Sequence, residues 1–402
     1  MEFSDFILEH DADDPGRLAL ARSRYPMADF DLALTTLEVR RKLRVKVPEW
    51  YAVPDLRYPR RLSGEQCSSS ETARYKAAVA SRWAHSGQIA DLTGGLGVDS
   101  WAFSQVFDRV LYNEMLPELA SAAMGNFAAL GLGNMTVRGA ELIPGEVAAV
   151  LGGFRPDILF LDPARRAADG RKVFRLEDCQ PDVLKLLPEL FSACPLVMLK
   201  LSPMADISLV CKQLCSVREV HVVAAEGECK ELLLVLERGH AGPYALFAYE
   251  SGAVMEIPGQ AGNDGVAWND RHGRHRPAIS EGMALFEPGK ALLKAGAFEL
   301  PCRYGLEKLG RHTHLYVGQE VPQELRPFGK CYQIVEVVPF NNKTAKELGR
   351  RYPLAEVTAR NLPLSSDQLR AKLGCRSGGD VHIFGVHLDD PAGNCLMVLL
   401  RK

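Results

Sequence analysis

The sequence predicts an α/β protein with a mainly parallel central sheet, a helical region before the sheet and α+β modules after it. Three observations predict this class. Short apolar runs alternate with amphipathic segments of helix length between residues 88 and 238, as expected for βαβ units. A glycine-rich turn follows the first apolar run. Two later runs are too close together for a crossover helix, which predicts an antiparallel hairpin.

Seven apolar runs are predicted to be strands of this sheet. The last two flank Glu226-Gly227-Glu228, so we expect their hairpin to lie at one edge of the sheet. The predicted strands are Gln88–Leu92, Arg109–Asn113, Met135–Arg138, Asp157–Leu161, Leu196–Lys200, Glu219–Ala225 and Glu231–Glu237.

Helical periodicity dominates the region before the sheet. Apolar residues recur at helical spacing from Phe30 to Val39 and lead into the basic run Arg40–Arg44, which we interpret as a solvated face near a helix end. A second helix is predicted after the capping residues Ser68-Ser69-Ser70-Glu71. These features predict a helical region over 1–84 and an α/β domain over 85–240.

Beyond this domain, turn residues gather between residues 241 and 277, which predicts a linker or an irregular extension. The rest of the chain forms an α+β pattern that divides near Val321-Pro322, into segments 278–321 and 322–402. The elements predicted there are strands at Tyr332–Val338, Ala355–Thr358, Val381–Val386 and Cys395–Leu400, and helices at Thr344–Tyr352 and Ser366–Leu373.

Charge and composition exclude several classes of protein. The 48 Lys and Arg against 50 Asp and Glu give a net charge of −2, which excludes a histone-like protein. Any polyanion must therefore bind a local basic surface, and residues 322–402 carry a local charge of +4. The start of the chain is acidic, and no segment has the ~20 apolar residues of a membrane span. We expect a cytoplasmic protein without a membrane partner; its oligomeric state stays open.

Metal and disulfide chemistry are not expected. The ten cysteines contain no Cys-x-x-Cys pair, which is typical of reduced thiols rather than of a zinc ribbon or a disulfide framework. His312 and His314 alternate along a predicted strand but lack a third ligand nearby.

A glycine-rich turn, Asp91–Asp99, follows the first predicted strand and precedes a helix. Glycines there let the backbone turn sharply and approach a ligand, and the next helix offers free amides. Glu114 stands at the end of the second strand, where a carboxylate can accept both ribose hydroxyls of a nucleoside. The two features together predict a nucleoside site.

The fourth predicted strand ends in Asp162-Pro163-Ala164-Arg165-Arg166, at the sheet edge where open α/β proteins bind their ligands. A nicotinamide enzyme would share the glycine turn and the acidic ribose residue. It would need neither this loop nor the hairpin, so the combination favours S-adenosylmethionine as the ligand.

From about Ala73 to Arg238 the sequence resembles the class I S-adenosylmethionine-dependent methyltransferases, which have a Rossmann-like sheet. Five segments resemble a bacterial family of such enzymes that carries a ferredoxin-like segment and a C-terminal THUMP-like domain: 162–166, 170–179, 200–208, 286–298 and 378–382. The resemblance implies a ferredoxin-like segment over 278–321 and a THUMP-like domain over 322–402. Because THUMP modules generally deliver RNA, it also implies RNA modification with tRNA or rRNA as the partner.

The resemblance also implies roles for residues of the glycine turn and of the strand ends. Asp91 would order the turn and lie near the methionine amino group, Glu114 would hold the ribose, and Glu141 would replace the aspartate that usually flanks adenine. The full set of expected cofactor-binding residues is Asp91, Thr93, Gly94, Gly95, Gly97, Glu114 and Glu141.

The acceptor loop leaves the methylated base and atom open. Amine methylation in this superfamily commonly uses an Asn or Asp, two prolines and an aromatic ring, and here Ala164 and Arg165 replace the second proline and the ring. Methylation of a pyrimidine carbon needs a cysteine nucleophile, and none follows the fifth predicted strand.

Asp162 is the candidate catalytic residue, for acceptor orientation or proton removal. Lys200 is expected either to bind phosphate or to extend to solvent from the sheet edge. Arg165 and Arg166 offer charge for phosphates, or for salt bridges with nearby acidic residues. The candidate substrate-binding residues are Pro163, Arg165, Arg166 and Lys200.

The function predicted from these features is S-adenosylmethionine-dependent methylation of RNA. Two alternatives stay open: a methyltransferase that acts on a protein or a small molecule, and an RNA-binding protein that has the fold without the catalysis.

Overall fold

The computed structural model describes residues 2–165, 176–258, 279–310, 312–388 and 393–401. The chain forms two compact units. The first comprises Met1–His221 and Lys230–Tyr244, and the second comprises Val222–Cys229 and Ala245–Lys402.

The first unit contains the N-terminal helices and the central sheet. Its helices are α1 (Phe3–Glu9), α2 (Pro15–Leu20), α3 (Phe30–Lys46), α4 (Pro48–Tyr51), α5 (Arg61–Gln66), α6 (Ser70–Ser81), α7 (Val98–Ser104), α8 (Pro117–Ala129), α9 (Val147–Leu151), α10 (Val183–Ala193) and α11 (Ile207–Leu214). Its strands are β1 (Gln88–Asp91), β2 (Arg109–Asn113), β3 (Met135–Arg138), β4 (Ile158–Leu161), β5 (Ala164–Arg165), β6 (Cys179–Gln180), β7 (Leu196–Leu201), β8 (Val217–Ala225) and β9 (Glu228–Glu237).

The central sheet has the order β8-β9-β7-β4-β1-β2-β3. Strands β3, β2, β1, β4 and β7 are parallel, and β9 pairs antiparallel with β7. All four residues of β4 are buried, as expected for a central strand covered on both faces. The predicted fold class, a mainly parallel Rossmann-like sheet with an antiparallel hairpin, is confirmed.

The N-terminal helices have a core of their own, built on Phe6, Phe30 and Leu37. Helix α6 begins after Ser69, whose hydroxyl oxygen accepts a hydrogen bond from the Thr72 amide at 3.2 Å. Arg40 differs from the expected solvated face, because its side chain is only 3% exposed. Its guanidinium donates to the carbonyls of residues 53 and 51 at 3.0 and 2.8 Å, so it connects α3 to the end of α4.

The second unit contains the hairpin tip Val222–Cys229 and a separate seven-stranded sheet. The strands of this unit that follow the tip are β10 (Ala245–Glu250), β11 (Ala253–Glu256), β12 (Ala284–Pro288), β13 (Glu307–Lys308), β14 (Tyr316–Gly318), β15 (Gly329–Pro339), β16 (Glu356–Arg360), β17 (Val381–Leu388) and β18 (Gly393–Arg401). Its helices are α12 (Lys290–Lys294), α13 (Leu300–Arg303), α14 (Asn342–Arg351) and α15 (Ser366–Leu373). The seven-stranded sheet has the order β13-β14-β12-β15-β18-β17-β16.

The strand order continues as β11-β10-β8, so the β8–β9 hairpin forms as predicted but is not the outermost pair. The additional pair comes from residues 245–256, which turn-forming residues had marked as a linker or an irregular extension. Ser251 and Gly252 have φ of 52° and 77°, which is the geometry of a two-residue hairpin turn. The turn-forming residues Ser251 and Gly252 therefore belong to the hairpin that connects β10 and β11.

Helices α14 and α15 lie close together in the second unit. A Cβ on Gly349 would lie 1.7 Å from the carbonyl oxygen of Leu373, so only glycine allows this approach. Both helices begin with a capping box, formed by Asn341 with Thr344 and by Ser365 with Gln368.

Candidate functional site

The carboxyl ends of four central strands open into one cleft in the first unit. Asp91 ends β1, Glu114 follows β2, Asp162 follows β4 and Lys200 lies near the end of β7. The cleft has a volume of about 790 Å³, and the segment from Arg60 to Ser68 lines part of it. The predicted site residues that line it are Asp91, Thr93, Gly94, Gly95, Gly97, Glu114, Glu141, Asp162 and Lys200.

Asp91 holds the glycine turn. Its carboxyl oxygens accept hydrogen bonds from the Thr93 amide at 3.1 Å and from the Ser100 hydroxyl at 2.6 Å. Burial raises the pKa of Asp91 to about 8, although the bond from Ser100 opposes that shift. The group is therefore mostly protonated at neutral pH in the free protein.

The Asp91→Asn variant is expected to flatten the pH dependence of the free energy of unfolding. In the folded protein the pKa of this carboxyl is about 8, far above its ordinary value of 3.8. Its stabilising contribution to the free energy of unfolding is therefore fully present below pH ~4. That contribution is lost as pH rises through about 8, whereas Asn, which copies the neutral acid, does not titrate. Urea denaturation of both proteins between pH 5 and 9 is the measurement, and parallel curves would contradict the assignment.

The three glycines of the turn are required for different reasons. A Cβ on Gly94 would lie 2.1 Å from the Tyr112 ring, and one on Gly97 would lie 2.8 Å from the Phe127 ring. A Cβ on Gly95 would meet nothing within 4 Å, although its φ of +54° favours glycine. Packing therefore explains Gly94 and Gly97, and only Gly95 has the open side that a ligand needs.

Glu114 is 7% exposed, and both of its carboxylate oxygens have fixed positions. The Gly95 amide donates to Oε2 and the Leu116 amide donates to Oε1, each at 2.9 Å. Each oxygen of a carboxylate has two acceptor sites, so both can accept a further hydrogen bond. The geometry suits a pair of adjacent hydroxyl groups.

The sequence patterns did not single out Asn113, which ties three strand ends together. Its amide nitrogen donates to the carbonyls of Leu92 and Ala140 at 3.2 and 2.9 Å, and its amide oxygen accepts from the Ala140 amide at 3.1 Å. The available signal was a polar amide at the end of an apolar strand, because a buried amide must find partners. Glu141, the residue after Ala140, is exposed and lines the cleft.

An ion pair lies in the part of the cleft that the ends of β4 and β7 form. Lys200 Nζ lies 2.5 Å from Asp162 Oδ2, and the Asp162 amide donates to the Thr93 hydroxyl oxygen at 2.6 Å. Because its side chain is only 12% exposed, Lys200 does not extend to solvent as expected. Burial lowers the pKa of Lys200, but the carboxylates of Asp162 and Glu231 outweigh burial and hold it above its usual value.

The other candidate residues of the loop after β4 lie in different environments. Pro163 is buried and is not among the residues that line the cleft, whereas Ala164 lines it. The backbone of Arg165 pairs with Cys179 across β5 and β6. Arg166 and the basic residues 171, 172 and 175 lie outside the described residues. Asp182, one of the acidic residues near this loop, lies 2.8 Å from the ammonium of Lys185.

Within the described ranges, no group of three His, Cys, Asp or Glu side chains could hold a metal ion. No helix there is long and apolar enough to cross a membrane.

Two segments of the second unit match known domain families. Residues 285–325 match a ferredoxin-like domain, and residues 329–402 match a THUMP domain-like family. Among curated proteins, none matches the chain.

The solved structures contain a relative of full length. The crystal structure of a "putative methyltransferase from Porphyromonas gingivalis W83" is 30% identical, has a TM-score of 0.82, and is matched over 100% of this chain and 97% of its own. A "putative RNA methyltransferase" from Pyrococcus horikoshii is 15% identical, with a TM-score of 0.26 over 36% of this chain and 63% of its own. A SAM-dependent methyltransferase from Aquifex aeolicus is 16% identical, with a TM-score of 0.28 over 40% of this chain and 89% of its own.

Those last two similarities are too low to support an argument, whereas the first extends along both chains. The protein therefore belongs to the bacterial family of class I S-adenosylmethionine-dependent methyltransferases with a ferredoxin-like segment and a C-terminal THUMP-like domain.

Proposed function

We propose that this protein binds S-adenosylmethionine and transfers its methyl group to an RNA, either tRNA or rRNA. One observation carries the proposal: the fixed carboxylate of Glu114 and the open side of Gly95 share a cleft with the Asp162–Lys200 ion pair. A nucleoside-binding end and a charged acceptor end are what such a reaction needs.

The residues of the cleft fit this cofactor. The carboxylate of Glu114 can accept from both ribose hydroxyls, since two backbone amides fix its orientation. Gly95 leaves room for close approach, and Glu141, which lines the same cleft, is proposed to flank adenine. The volume of about 790 Å³ lies within the ~300–1,000 Å³ typical of ligand pockets. The bound cofactor supplies a methyl group on a sulfonium.

At the other end, Asp162 orients the acceptor group or accepts its proton. Lys200 fixes the direction of that carboxylate, because its ammonium lies 2.5 Å away. Arg165 follows within the same loop and is proposed to bind the substrate.

The C-terminal domain supports RNA as the substrate. Residues 329–402 match the THUMP domain-like family, and residues 322–402 carry a local charge of +4 on a chain of −2. Lys343, Lys346 and Arg350 are exposed on α14. Such a surface suits phosphate contacts, which supply most of the affinity of sequence-independent RNA binding.

The cleft itself favours a second candidate, an amine on a protein or a small molecule. Its described lining contains six carboxyl side chains and three cationic ones, a balance that is unfavourable for phosphates. The two candidates differ in where the transferred methyl group is found, so one labelling experiment separates them.

The Glu114→Ala variant is expected to bind S-adenosylmethionine about ten- to a hundredfold more weakly than the wild type. Losing hydrogen bonds to a charged group costs ~1.5–3 kcal/mol. Isothermal titration calorimetry measures the affinities, and thermal melting verifies that the variant folds. Glu146→Ala, which removes an exposed carboxylate outside the cleft, is the matched control. Equal affinities for Glu114→Ala and the control would place the nucleoside elsewhere.

A further inference from the structure

A buried ammonium group lies behind the acceptor end of the cleft. Lys76, on α6, has no exposed surface. Its Nζ lies 2.6 Å from Glu231 Oε1, 3.1 Å from Asp99 Oδ1 and 3.0 Å from the Ser68 hydroxyl. Ser68 in turn donates to Asp99 Oδ2 at 2.9 Å. Lys76 thus joins the N-terminal helices to the sheet through charged hydrogen bonds.

Glu231 connects this group to the acceptor end. It lies on β9, is 3% exposed, and its Oε2 is 4.0 Å from Lys200 Nζ. Lys200 then contacts Asp162 at 2.5 Å. A line of alternating charges therefore runs Lys76, Glu231, Lys200, Asp162 from α6 to the cleft. The antiparallel register of β7 and β9, which pairs Lys200 with Leu233, fixes the relative positions of Glu231 and Lys200 in this line.

Stability alone explains this arrangement poorly. Apolar residues of similar volume are often as stabilising as a buried ion pair, or more so, because removing two charges from water is costly. Neither Lys76 nor Glu231 is among the residues that line the cleft, yet the line of charges ends on the candidate catalytic carboxylate.

We propose that Glu231 and Lys76 are positioning residues for methyl transfer. Lys76 fixes Glu231, the Glu231 carboxylate orients the Lys200 ammonium, and that ammonium holds Asp162 toward the acceptor. The inference rests on the proposed function, because it takes Asp162 to act on the acceptor.

The ionisation of these groups supports the arrangement. Burial raises the pKa of Glu231 above its usual value, while the ammonium groups of Lys76 and Lys200 oppose that shift. The carboxylates of Asp162, Glu231 and Asp99 face Lys200 and together keep its pKa high despite burial. Removing the charge of Glu231 should therefore lower the pKa of Lys200.

The test compares Glu231→Gln with Glu219→Gln. Glu219 is another buried glutamate of the same hairpin, paired with Arg82 at 2.7 Å and with His221 at 3.0 Å, and it does not line the cleft. Tritium transfer from labelled S-adenosylmethionine gives kcat and KM on whichever fraction of a bacterial extract the wild type methylates. We expect Glu231→Gln to lower kcat about ten- to a hundredfold, since displacement of a catalytic group by ~1 Å costs ~10²-fold. KM and the cofactor affinity should stay within twofold, and Glu219→Gln should behave as the wild type does.

A second readout does not depend on activity. In full-length protein labelled with ¹⁵N-lysine, the ammonium resonance of Lys200 Nζ, assigned with Lys200→Met, should shift in Glu231→Gln at neutral pH and be unchanged in Glu219→Gln. Glu231→Asp retains the charge and should recover part of kcat. An unshifted Lys200 resonance, or equal losses of kcat in the two glutamine variants, would overturn the proposal. Absence of label in RNA would overturn only the proposed substrate, because the Lys200 resonance still reports the contact between Glu231 and Lys200.

Discussion

The Asp162→Ala variant is expected to lose methyl transfer while binding S-adenosylmethionine within a few fold of the wild type. Asp162 follows β4 at the proposed acceptor end, whereas the proposed nucleoside contacts, Gly95 and Glu114, belong to the turn after β1 and to the end of β2. A positioned acid or base contributes ~10²–10⁴-fold to a rate. Initial rates and calorimetric titrations of the same preparation give both quantities.

Asp182→Asn is the matched control for this result. Asp182 also lines the cleft, but it pairs with Lys185 and caps α10, and asparagine caps a helix as well as aspartate does. The rate of Asp182→Asn should stay within a few fold of the wild type. If cofactor affinity falls together with the rate in Asp162→Ala, the carboxylate is structural.

Reversing three charges on α14 is expected to lower RNA affinity about a hundredfold and to weaken its salt dependence. Lys343, Lys346 and Arg350 are exposed, while α14 packs through Ala345, Leu348 and Gly349, so their replacement by Glu should leave the domain folded. Removing one cation that binds a phosphate reduces the slope of log affinity against log salt by ~0.7–0.9. Filter binding of total bacterial tRNA at several salt concentrations measures both effects.

The control for that variant reverses three exposed arginines of the first unit, Arg17, Arg24 and Arg44, and so changes the net charge equally. Its RNA affinity should change much less than that of the α14 variant. Equal losses in the two variants would show that net charge, rather than α14, determines binding.

The strands of the central sheet could be predicted well because each one is marked by residues that are adjacent in the sequence. The apolar runs at β1, β2 and β3 are bounded by turn residues, and the structure has these strands within one residue of the predicted ends. The β10–β11 hairpin was missed because Ser251-Gly252 indicates a break in structure as readily as a tight turn. Arg40 could not be predicted to be buried, since its carbonyl partners lie at the end of the next helix, α4, and just beyond it.

The candidate site was predictable only in part. The glycine turn and Glu114 can each be recognised from the residues around them. The need for glycine at position 94 cannot, because it depends on the ring of Tyr112 on the next strand. Lys76 and Glu231 are 155 positions apart, and no local pattern connects them. Spacing reveals which residues share a strand end; the partners of a buried charge are known only once the chain is folded.

Transfer of tritium from methyl-labelled S-adenosylmethionine to a bacterial extract tests the central claim most directly. The extract is divided into RNA, protein and small-molecule fractions after incubation with the wild type or with Asp162→Ala. The proposed function predicts label in the RNA fraction that ribonuclease releases, with none from Asp162→Ala. Label confined to the protein or small-molecule fraction, or no transfer by a wild type that binds the cofactor, would contradict it.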